Sequence, residues 1–262
     1  MPEASPLAGK RVIVTRPRAQ LGALVRALEA MEAIPVQFPV MRIEPIEDVP
    51  GLDEALRSVG AYDWVVFTSA NGVEVVWDRL ARLGQASESM RSRKVAAIGP
   101  ATAEALRQRG VETAYVPESY VGDDLASGLP KVQGMRVLLT RAAESRPALP
   151  ELLAKRGAQV DEFPVYRAVA ESPGAEALAE LRRGAAVLTF TSPSTVRFFV
   201  AALDGTGLDP RRLPADPVIA CIGPVTAEAA RRAGLAPRVV AQVYTTAGLV
   251  EALAAYFNGR DA

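Results

Sequence analysis

Short apolar runs of strand length alternate along the chain with segments in which apolar residues recur every three or four positions. Residues 11–14 predict a strand, and residues 21–28 carry leucine and valine at the spacing of one helix face. Residues 64–67 and 187–190 are largely apolar runs, which are typical of strands buried on both faces. This alternation of strands and helices predicts an α/β protein built on parallel sheets.

The chain repeats itself at a spacing of about 124 residues. The matching pairs are Thr15-Arg16 with Thr140-Arg141, Phe38-Pro39-Val40 with Phe163-Pro164-Val165, Phe67-Thr68-Ser69 with Phe190-Thr191-Ser192, Ile98-Gly99-Pro100 with Ile222-Gly223-Pro224, and Tyr120 with Tyr244. Because this duplication covers the whole chain, it predicts two similar open parallel-sheet lobes of Rossmann-like or flavodoxin-like type. Two similar lobes make a cleft between them, where we expect the ligand.

Four strand-to-helix turns, two in each copy, bring hydroxyls and backbone N–H groups to the carboxyl ends of the predicted strands. Ser69 and Ser192 are in position to cap the following helices, and Pro193 suits a first helical position. The Gly-Pro steps of the other two turns begin helices that carry Thr102 and Thr226. Helix N-termini favour anions, so the four turns together predict an anion receptor. Ordinary capping would also account for each hydroxyl taken singly.

The segments at residues 38–45 and 163–172 have a different pattern. Each is extended and contains a proline that a central strand would not tolerate, so we interpret them as linkers. If the chain crosses between lobes at both, one lobe comprises residues 1–37 and 170–262, and the other comprises residues 38–169. A tandem division near Pro130 is the alternative, and composition does not choose between the two.

The side chains available for chemistry are restricted by composition. The chain has no histidine and one cysteine, Cys221, so the commonest general base, the commonest metal ligand and an intrachain disulfide are excluded. Cys221 lies in an apolar run, where we expect a buried strand thiol. No phosphate-binding loop and no G-x-G-x-x-G motif occurs. We therefore expect a site without cofactor or metal.

The 30 basic and 30 acidic residues cancel, so no overall field attracts the chain to nucleic acid or to an anionic membrane. Residues 1–10 lack the apolar core of a signal peptide, and no stretch has the length of a membrane span. We expect a cytoplasmic protein with a small-molecule substrate and neither nucleic acid nor membrane as partner. A site shared by two lobes of one chain requires no second subunit, so we expect a monomer.

Three further side chains are candidates for the site. Arg16 and Arg141 follow strands directly, where a guanidinium could clamp a carboxylate; an arginine in solvent, or one paired with a neighbouring acid, is the alternative. Tyr166 is the one aromatic hydroxyl in the two linker segments. A tyrosine with a purely structural role between the lobes is the alternative there.

Taken together, these motifs resemble the uroporphyrinogen-III synthase family. The resemblance covers residues 11 to about 253 and depends on the order and spacing of several short motifs. They are Phe67-Thr68-Ser69-Ala70-Asn71-Gly72-Val73, Ala97-Ile98-Gly99-Pro100-Ala101-Thr102-Ala103, Phe190-Thr191-Ser192-Pro193-Ser194, Ile222-Gly223-Pro224-Val225-Thr226-Ala227 and Tyr166.

The resemblance implies two α/β lobes joined by a two-stranded linker, with the N-terminal βα units interchanged. It also implies that hydroxymethylbilane, a linear tetrapyrrole with eight carboxylates, is cyclised through a spiro intermediate with loss of water and inversion of the last pyrrole ring. Tyr166 would assist departure of the hydroxyl group as a hydrogen-bond donor. The turns, with Arg16 and Arg141, would bind the substrate.

Two other classes of protein fit part of the pattern. A two-lobed binding protein that closes on an anionic metabolite without chemistry would explain the duplication and the turns, although most such receptors carry an export signal. A two-domain glycosyltransferase is a weaker possibility, because those enzymes usually need a longer chain and a nucleotide-sugar site.

Overall fold

The computed structural model describes residues 5–85 and 88–259, and its contacts divide the chain into two compact units. Unit 1 is Met1–Arg42 with Val169–Ala262, and unit 2 is Ile43–Ala168. The first crossing lies after Arg42, five residues beyond the predicted position, and the second lies one residue before it. Within the described ranges, no helix combines the length and apolar character needed to cross a bilayer.

Unit 1 is built on a five-stranded parallel sheet in the order β10-β9-β8-β1-β2. Its strands are β1 (Arg11–Val14), β2 (Ile34–Gln37), β8 (Val187–Phe190), β9 (Val218–Cys221) and β10 (Pro237–Val240). Its helices are α1 (Leu21–Glu29), α8 (Gly174–Arg182), α9 (Pro193–Ala202), α10 (Pro224–Arg232) and α11 (Thr246–Asn258).

Unit 2 carries the second sheet, in the order β3-β7-β6-β4-β5. Its strands are β3 (Met41–Pro45), β4 (Trp64–Phe67), β5 (Lys94–Ala97), β6 (Arg136–Ala142) and β7 (Gln159–Ala170), of which β3 and β7 run across the boundary between the units. Its helices are α2 (Leu52–Arg57), α3 (Ala70–Arg82), α4 (Glu88–Arg91), α5 (Pro100–Arg107), α6 (Gly122–Gly128) and α7 (Ala148–Lys155).

The sequence repeat reappears as the same strand pairing in both units. Val12 of β1 lies beside Val187 of β8, and Val137 of β6 lies beside Trp64 of β4. The central pair of each sheet therefore joins a strand of one copy of the repeat to a strand of the other. Beyond β5, an isolated parallel bridge between Ala96 and Tyr115 occupies the position that β10 has in unit 1.

Burial on both faces explains why the central strands have apolar sequences. In β4, Val65 and Phe67 pack into the core on one face of the sheet, while Trp64 and Val66 pack into the core on the other. All four residues of β8 are also buried. The strands predicted at residues 11–14, 64–67 and 187–190 are confirmed with those bounds.

Helix boundaries follow the capping residues that the sequence predicts. Ser69 and Ser192 each accept a hydrogen bond from the backbone N–H three residues further on, and Pro193 is the first residue of α9. Gly157, after α7, has a φ of 84°, the left-handed conformation that glycine adopts without strain.

Pro164 is part of the second sheet, at a place where β7 has a neighbouring strand on one side. It pairs with Arg141 of β6, whereas the backbone hydrogen bonds on the β3 side run from Val165 to Glu171. The Gln159 N–H donates to the Met135 carbonyl, so every second amide from Gln159 faces β6 and the Pro164 nitrogen lies on the opposite side. The register shifts directly afterwards, because Arg141 pairs with Pro164 and Ala142 pairs with Tyr166, which leaves one extra residue in β7. The missing N–H therefore removes no bond to β6.

Cys221 ends β9 and is fully buried, and this burial raises the pKa of its thiol to about 12. We expect a disulfide reagent at about pH 8 to leave the native protein unmodified and to react with one thiol per chain after denaturation. The thiol pKa in the folded protein is above its ordinary value of 9.0. The contribution of the protonated thiol to the free energy of unfolding is therefore complete below pH 9.0 and is lost as the pH approaches 12. Rapid modification of the native protein would contradict the burial.

Candidate functional site

The turn between β4 and α3 in unit 2 positions the first group of candidate residues. Ser69 has an extended backbone, and its Oγ accepts a hydrogen bond of 3.0 Å from the Gly72 N–H. Ala70 is the first residue of α3, and Ala70 and Asn71 are both half-buried. One serine side chain thus satisfies an amide at the start of the helix that would otherwise lack a partner.

Tyr166 reaches this turn from β7. Its hydroxyl donates a hydrogen bond of 2.8 Å to Ser69 Oγ, and its side chain is almost enclosed, with 7% of the residue exposed. A β-carbon placed on Gly72 would lie 3.8 Å from Tyr166 Cε1, so the ring packs directly against the first turn of α3. Four of the predicted site residues, Ser69, Asn71, Gly72 and Tyr166, are therefore brought together.

The environment of Tyr166 keeps its hydroxyl protonated. Burial raises the pKa of Tyr166 above its ordinary value, and hydrogen bonds with Ser69 and Asn71 lower it in part. The direction of the pKa shift remains upward because burial is the largest contribution. At neutral pH this hydroxyl can therefore act as a neutral hydrogen-bond donor in a partly enclosed position.

The second turn of unit 2 joins β5 to α5. Pro100 is the first helical residue, as the sequence predicts, and Thr102 is 3% exposed in the first turn of α5. The Gly99 N-cap lies under Tyr120, because a β-carbon on Gly99 would be 3.3 Å from that ring. Tyr120 has a φ of 53°, a left-handed conformation that is uncommon outside glycine and often marks functional loops.

Unit 1 repeats this arrangement at the carboxyl ends of β8 and β9. Ser192 caps α9, while Pro193 is exposed and Ser194 is half-buried in the first turn of that helix. Thr226, in the first turn of α10, is 3% exposed, like its counterpart Thr102 in unit 2.

Tyr244 packs on Gly223 in unit 1 as Tyr120 packs on Gly99 in unit 2. The two tyrosines recur in the sequence repeat, but the sequence reasoning gave them no role. Their recurrence beside a Gly-Pro step was the signal that could have identified them.

The two predicted arginines differ in their surroundings. Arg16 is half-buried, and its Nη1 donates a hydrogen bond of 3.0 Å to Thr246 Oγ1 at the start of α11. Arg141 lies inside β6 and is 3% exposed. Its Nη1 lies 3.0 Å from Glu162 Oε1, so the two side chains form an ion pair, although the atoms are not aligned for a hydrogen bond. Its Nη2 donates a hydrogen bond to the Arg146 carbonyl. Arg141 thus has the acid-paired arrangement that was the alternative to a carboxylate clamp.

No group of three or more histidine, cysteine, aspartate and glutamate side chains in residues 5–85 and 88–259 could hold a metal ion.

An alkaline titration tests the environment of Tyr166. We expect the difference in tyrosinate absorbance between the wild type and Tyr166→Phe to show a midpoint above the ordinary value of 10.0, because burial disfavours the anion. The denatured protein is the control, since all six tyrosines should then titrate near that value. Circular dichroism at each pH identifies the range in which the chain remains folded. A midpoint at or below 10.0 would contradict the enclosed position.

The family model and the similar proteins indicate the same family. The family model described as uroporphyrinogen-III synthase HemD matches residues 22–251. A uroporphyrinogen-III synthase of Synechococcus elongatus is 33% identical over 254 residues, covering 95% of this chain and 96% of that protein. A porphyrin biosynthesis protein HemD of Ruminiclostridium josui is 30% identical over 253 residues, covering 95% of this chain and 49% of that protein. The chain thus spans about half the length of this relative.

Solved structures with lower identity share the fold. A mutant uroporphyrinogen III synthase of Thermus thermophilus has a TM-score of 0.62 at 20% identity, covering 96% of this chain and 100% of that chain. A uroporphyrinogen-III synthetase of Helicobacter pylori has a TM-score of 0.57 at 17% identity, covering 93% and 97%. These likenesses agree with an α/β fold containing two mostly parallel sheets. Because the family model spans most of the sequence and a relative of similar length is 33% identical, the chain belongs to the uroporphyrinogen-III synthase family of cyclising lyases in haem biosynthesis.

Proposed function

We propose that this chain is itself a uroporphyrinogen-III synthase, which converts hydroxymethylbilane to uroporphyrinogen III. The reaction would release the terminal hydroxyl as water, form an azafulvene, and close the ring through a spiro intermediate that inverts the last pyrrole. Family membership supports the reaction class. The observation that carries the assignment to this site is the enclosed, protonated Tyr166 hydroxyl beside the first turn of α3.

Tyr166 would assist the step in which the carbon–oxygen bond breaks. Its hydroxyl can rotate about the bond between the ring and the oxygen, so the hydrogen atom that now points to Ser69 could be directed to the substrate hydroxyl. Donation there would stabilise the developing hydroxide, which leaves as water with the proton that the pyrrole N–H releases as the azafulvene forms. The azafulvene is intrinsically reactive, so the remaining task of the protein is to hold the chain in the geometry for inverted closure.

The helix-start turns would bind the substrate carboxylates. Ser69, Ala70, Asn71, Gly72 and Thr102 would serve in unit 2, and Arg16, Ser192, Pro193, Ser194 and Thr226 would serve in unit 1. Helices α3, α5, α9 and α10 all begin at carboxyl ends of parallel strands, where backbone N–H groups favour anions. Many local donors would bind a polycarboxylate although the whole chain has a formal net charge of +0. The ion pair with Glu162 makes Arg141 the least favourable of the proposed ligands.

We also propose that the two units are functional lobes joined by a two-stranded linker at residues 38–45 and 163–172. In this proposal the first βα unit, β1 with α1, is interchanged between the copies of the repeat: it belongs to the first copy in sequence but to the lobe that is built mainly from the second. The division of contacts supports it, because unit 1 combines Met1–Arg42 with Val169–Ala262. The enzyme would act in the cytoplasm. It would act as a monomer, since every proposed site residue lies on one chain and the site needs no second subunit. The non-catalytic binding protein is not favoured, because the relatives are named as synthases.

An assay of the ring-closed product tests the function directly. We expect the protein, supplied with hydroxymethylbilane, to yield type III uroporphyrinogen faster than the spontaneous reaction yields type I. The products would be oxidised and their porphyrin isomers separated by chromatography. A reaction with boiled protein supplies the spontaneous baseline. If only type I forms, at the baseline rate, the enzyme assignment is wrong.

Replacing one hydroxyl tests the role of Tyr166. We expect Tyr166→Phe to lower kcat on the order of 100-fold, because one hydrogen-bond donor to the leaving group is lost. Activity should not vanish, since substrate folding and the reactive azafulvene do not need this group. Initial rates and unfolding curves would be measured on the same preparation, so that a folding defect is recognised. Full turnover in a folded Tyr166→Phe protein would exclude the proposed role.

A further inference from the structure

In both serine-capped turns an extended serine precedes the helix and accepts a hydrogen bond from the N–H three residues further on. The two turns differ in the side chain at the third helical position. In α3 the sequence from the cap is Ser69-Ala70-Asn71-Gly72, and in α9 it is Ser192-Pro193-Ser194-Thr195. Glycine in unit 2 thus stands where threonine stands in unit 1. The duplication provides an internal comparison, because any role of the cap itself is common to both turns.

Threonine at this position completes the cap of α9. Ser192 Oγ accepts a hydrogen bond of 3.2 Å from the Thr195 N–H, and Thr195 Oγ1 accepts one of 3.2 Å from the Ser192 N–H. This reciprocal arrangement is a capping box, and Thr195 is 1% exposed within it. Helix α3 lacks the second bond, because Gly72 has no side chain. A glycine in the first turn is also a poorer helix former than threonine.

Tyr166 occupies the space that a larger side chain would need at residue 72. A β-carbon there would lie 3.4 Å from Ser69 Oγ, 3.8 Å from Thr140 Oγ1 and 3.8 Å from Tyr166 Cε1. These are ordinary contact distances for one methyl group. The two further atoms of a threonine would extend beyond the β-carbon into neighbours that are already in contact.

The residue that corresponds to Tyr166 in the sequence repeat also differs between the copies. Met41 stands in the first copy where Tyr166 stands in the second, so the copy with tyrosine has glycine and the copy with methionine has threonine. In unit 2, Ser69 accepts the hydroxyl of Tyr166. The differences at residues 72 and 166 are therefore linked by direct packing, not merely by sequence.

We propose that Ser69 and Gly72 are positioning residues for Tyr166: Gly72 leaves room for the ring, and Ser69 holds the phenol oxygen in place. Helix α3 thereby lacks the capping box that α9 keeps. This inference rests on the proposed function of Tyr166, and it gives Ser69 and Gly72 a role that does not require contact with substrate. A ring held on one face by α3 and at its oxygen by Ser69 keeps that oxygen in one place before substrate arrives, and rotation of the O–H bond alone then directs the hydrogen to the substrate.

The decisive variant is Gly72→Thr, studied in the full chain with 3-fluorotyrosine incorporated. The six fluorine resonances are assigned by single Tyr→Phe substitutions, including Tyr166→Phe. We expect Gly72→Thr to move the Tyr166 resonance and to lower kcat roughly tenfold with a smaller change in KM. A restored capping box would offset part of the cost of overpacking, so we expect the variant to stay folded. A fall in kcat that exceeds the change in KM, in a folded protein whose Tyr166 resonance has moved, would separate positioning from a structural role.

Matched variants isolate each part of the proposal. Gly72→Ala should leave the Tyr166 resonance in place, because one methyl group meets only ordinary contacts. Ser69→Ala and Ser192→Ala remove equivalent caps and should destabilise the fold to a similar extent, but only Ser69→Ala should move the Tyr166 resonance. Thr195→Gly removes the capping box of unit 1 and should leave that resonance unmoved.

The outcomes distinguish this inference from the proposed activity. An unmoved Tyr166 resonance in both Gly72→Thr and Ser69→Ala would overturn the positioning role. If Gly72→Thr fails to fold, Ser69→Ala decides the question by the same resonance. Should Tyr166→Phe retain full turnover while the resonance moves as expected, the placement of the ring is supported and its catalytic role is overturned instead.

Discussion

The parallel pairing of two strands buried on both faces, once in each unit, is the constraint from which the rest of the structure follows. β1 pairs with β8 and β4 pairs with β6, and their apolar side chains fill cores on both sides of the sheets. Such strands can change to polar sequence only where they end. The parallel direction places those ends at one edge of each sheet, so capping serines, Gly-Pro steps and helix N-termini gather there.

Duplication gave the molecule two copies of this edge, and the chemistry depends on where the copies differ. Gly72 and Tyr166 in unit 2 correspond to Thr195 and Met41 in unit 1. A chain without histidine lacks the side chain that most often transfers a proton near neutral pH. A buried tyrosine is suited to this because burial keeps it protonated. In the proposed function, the symmetric parts of the fold would supply the scaffold, and the one asymmetric contact, between Tyr166 and Ser69, would supply the donor.

The charged groups show why position in the sequence does not reveal availability. Arg16 and Arg141 occupy matching places in the repeat, yet Arg16 reaches Thr246 at the start of a helix and Arg141 is enclosed beside Glu162. The difference arises because β6 extends through Arg141 to Ala142, whereas β1 ends at Val14. A strand that is longer by a few residues turns a candidate ligand into part of the sheet.

Local patterns and their order are enough to predict the α/β class, the duplication, the bounds of the central strands, the capping serines and the family. Three features are visible only in the folded chain: Pro164 lies within β7, Arg141 is buried, and Tyr166 meets Ser69, which is 97 residues away along the chain. These features depend on which strands become neighbours and in which register. Such pairing is set by packing of the whole sheet and has no local trace in the sequence.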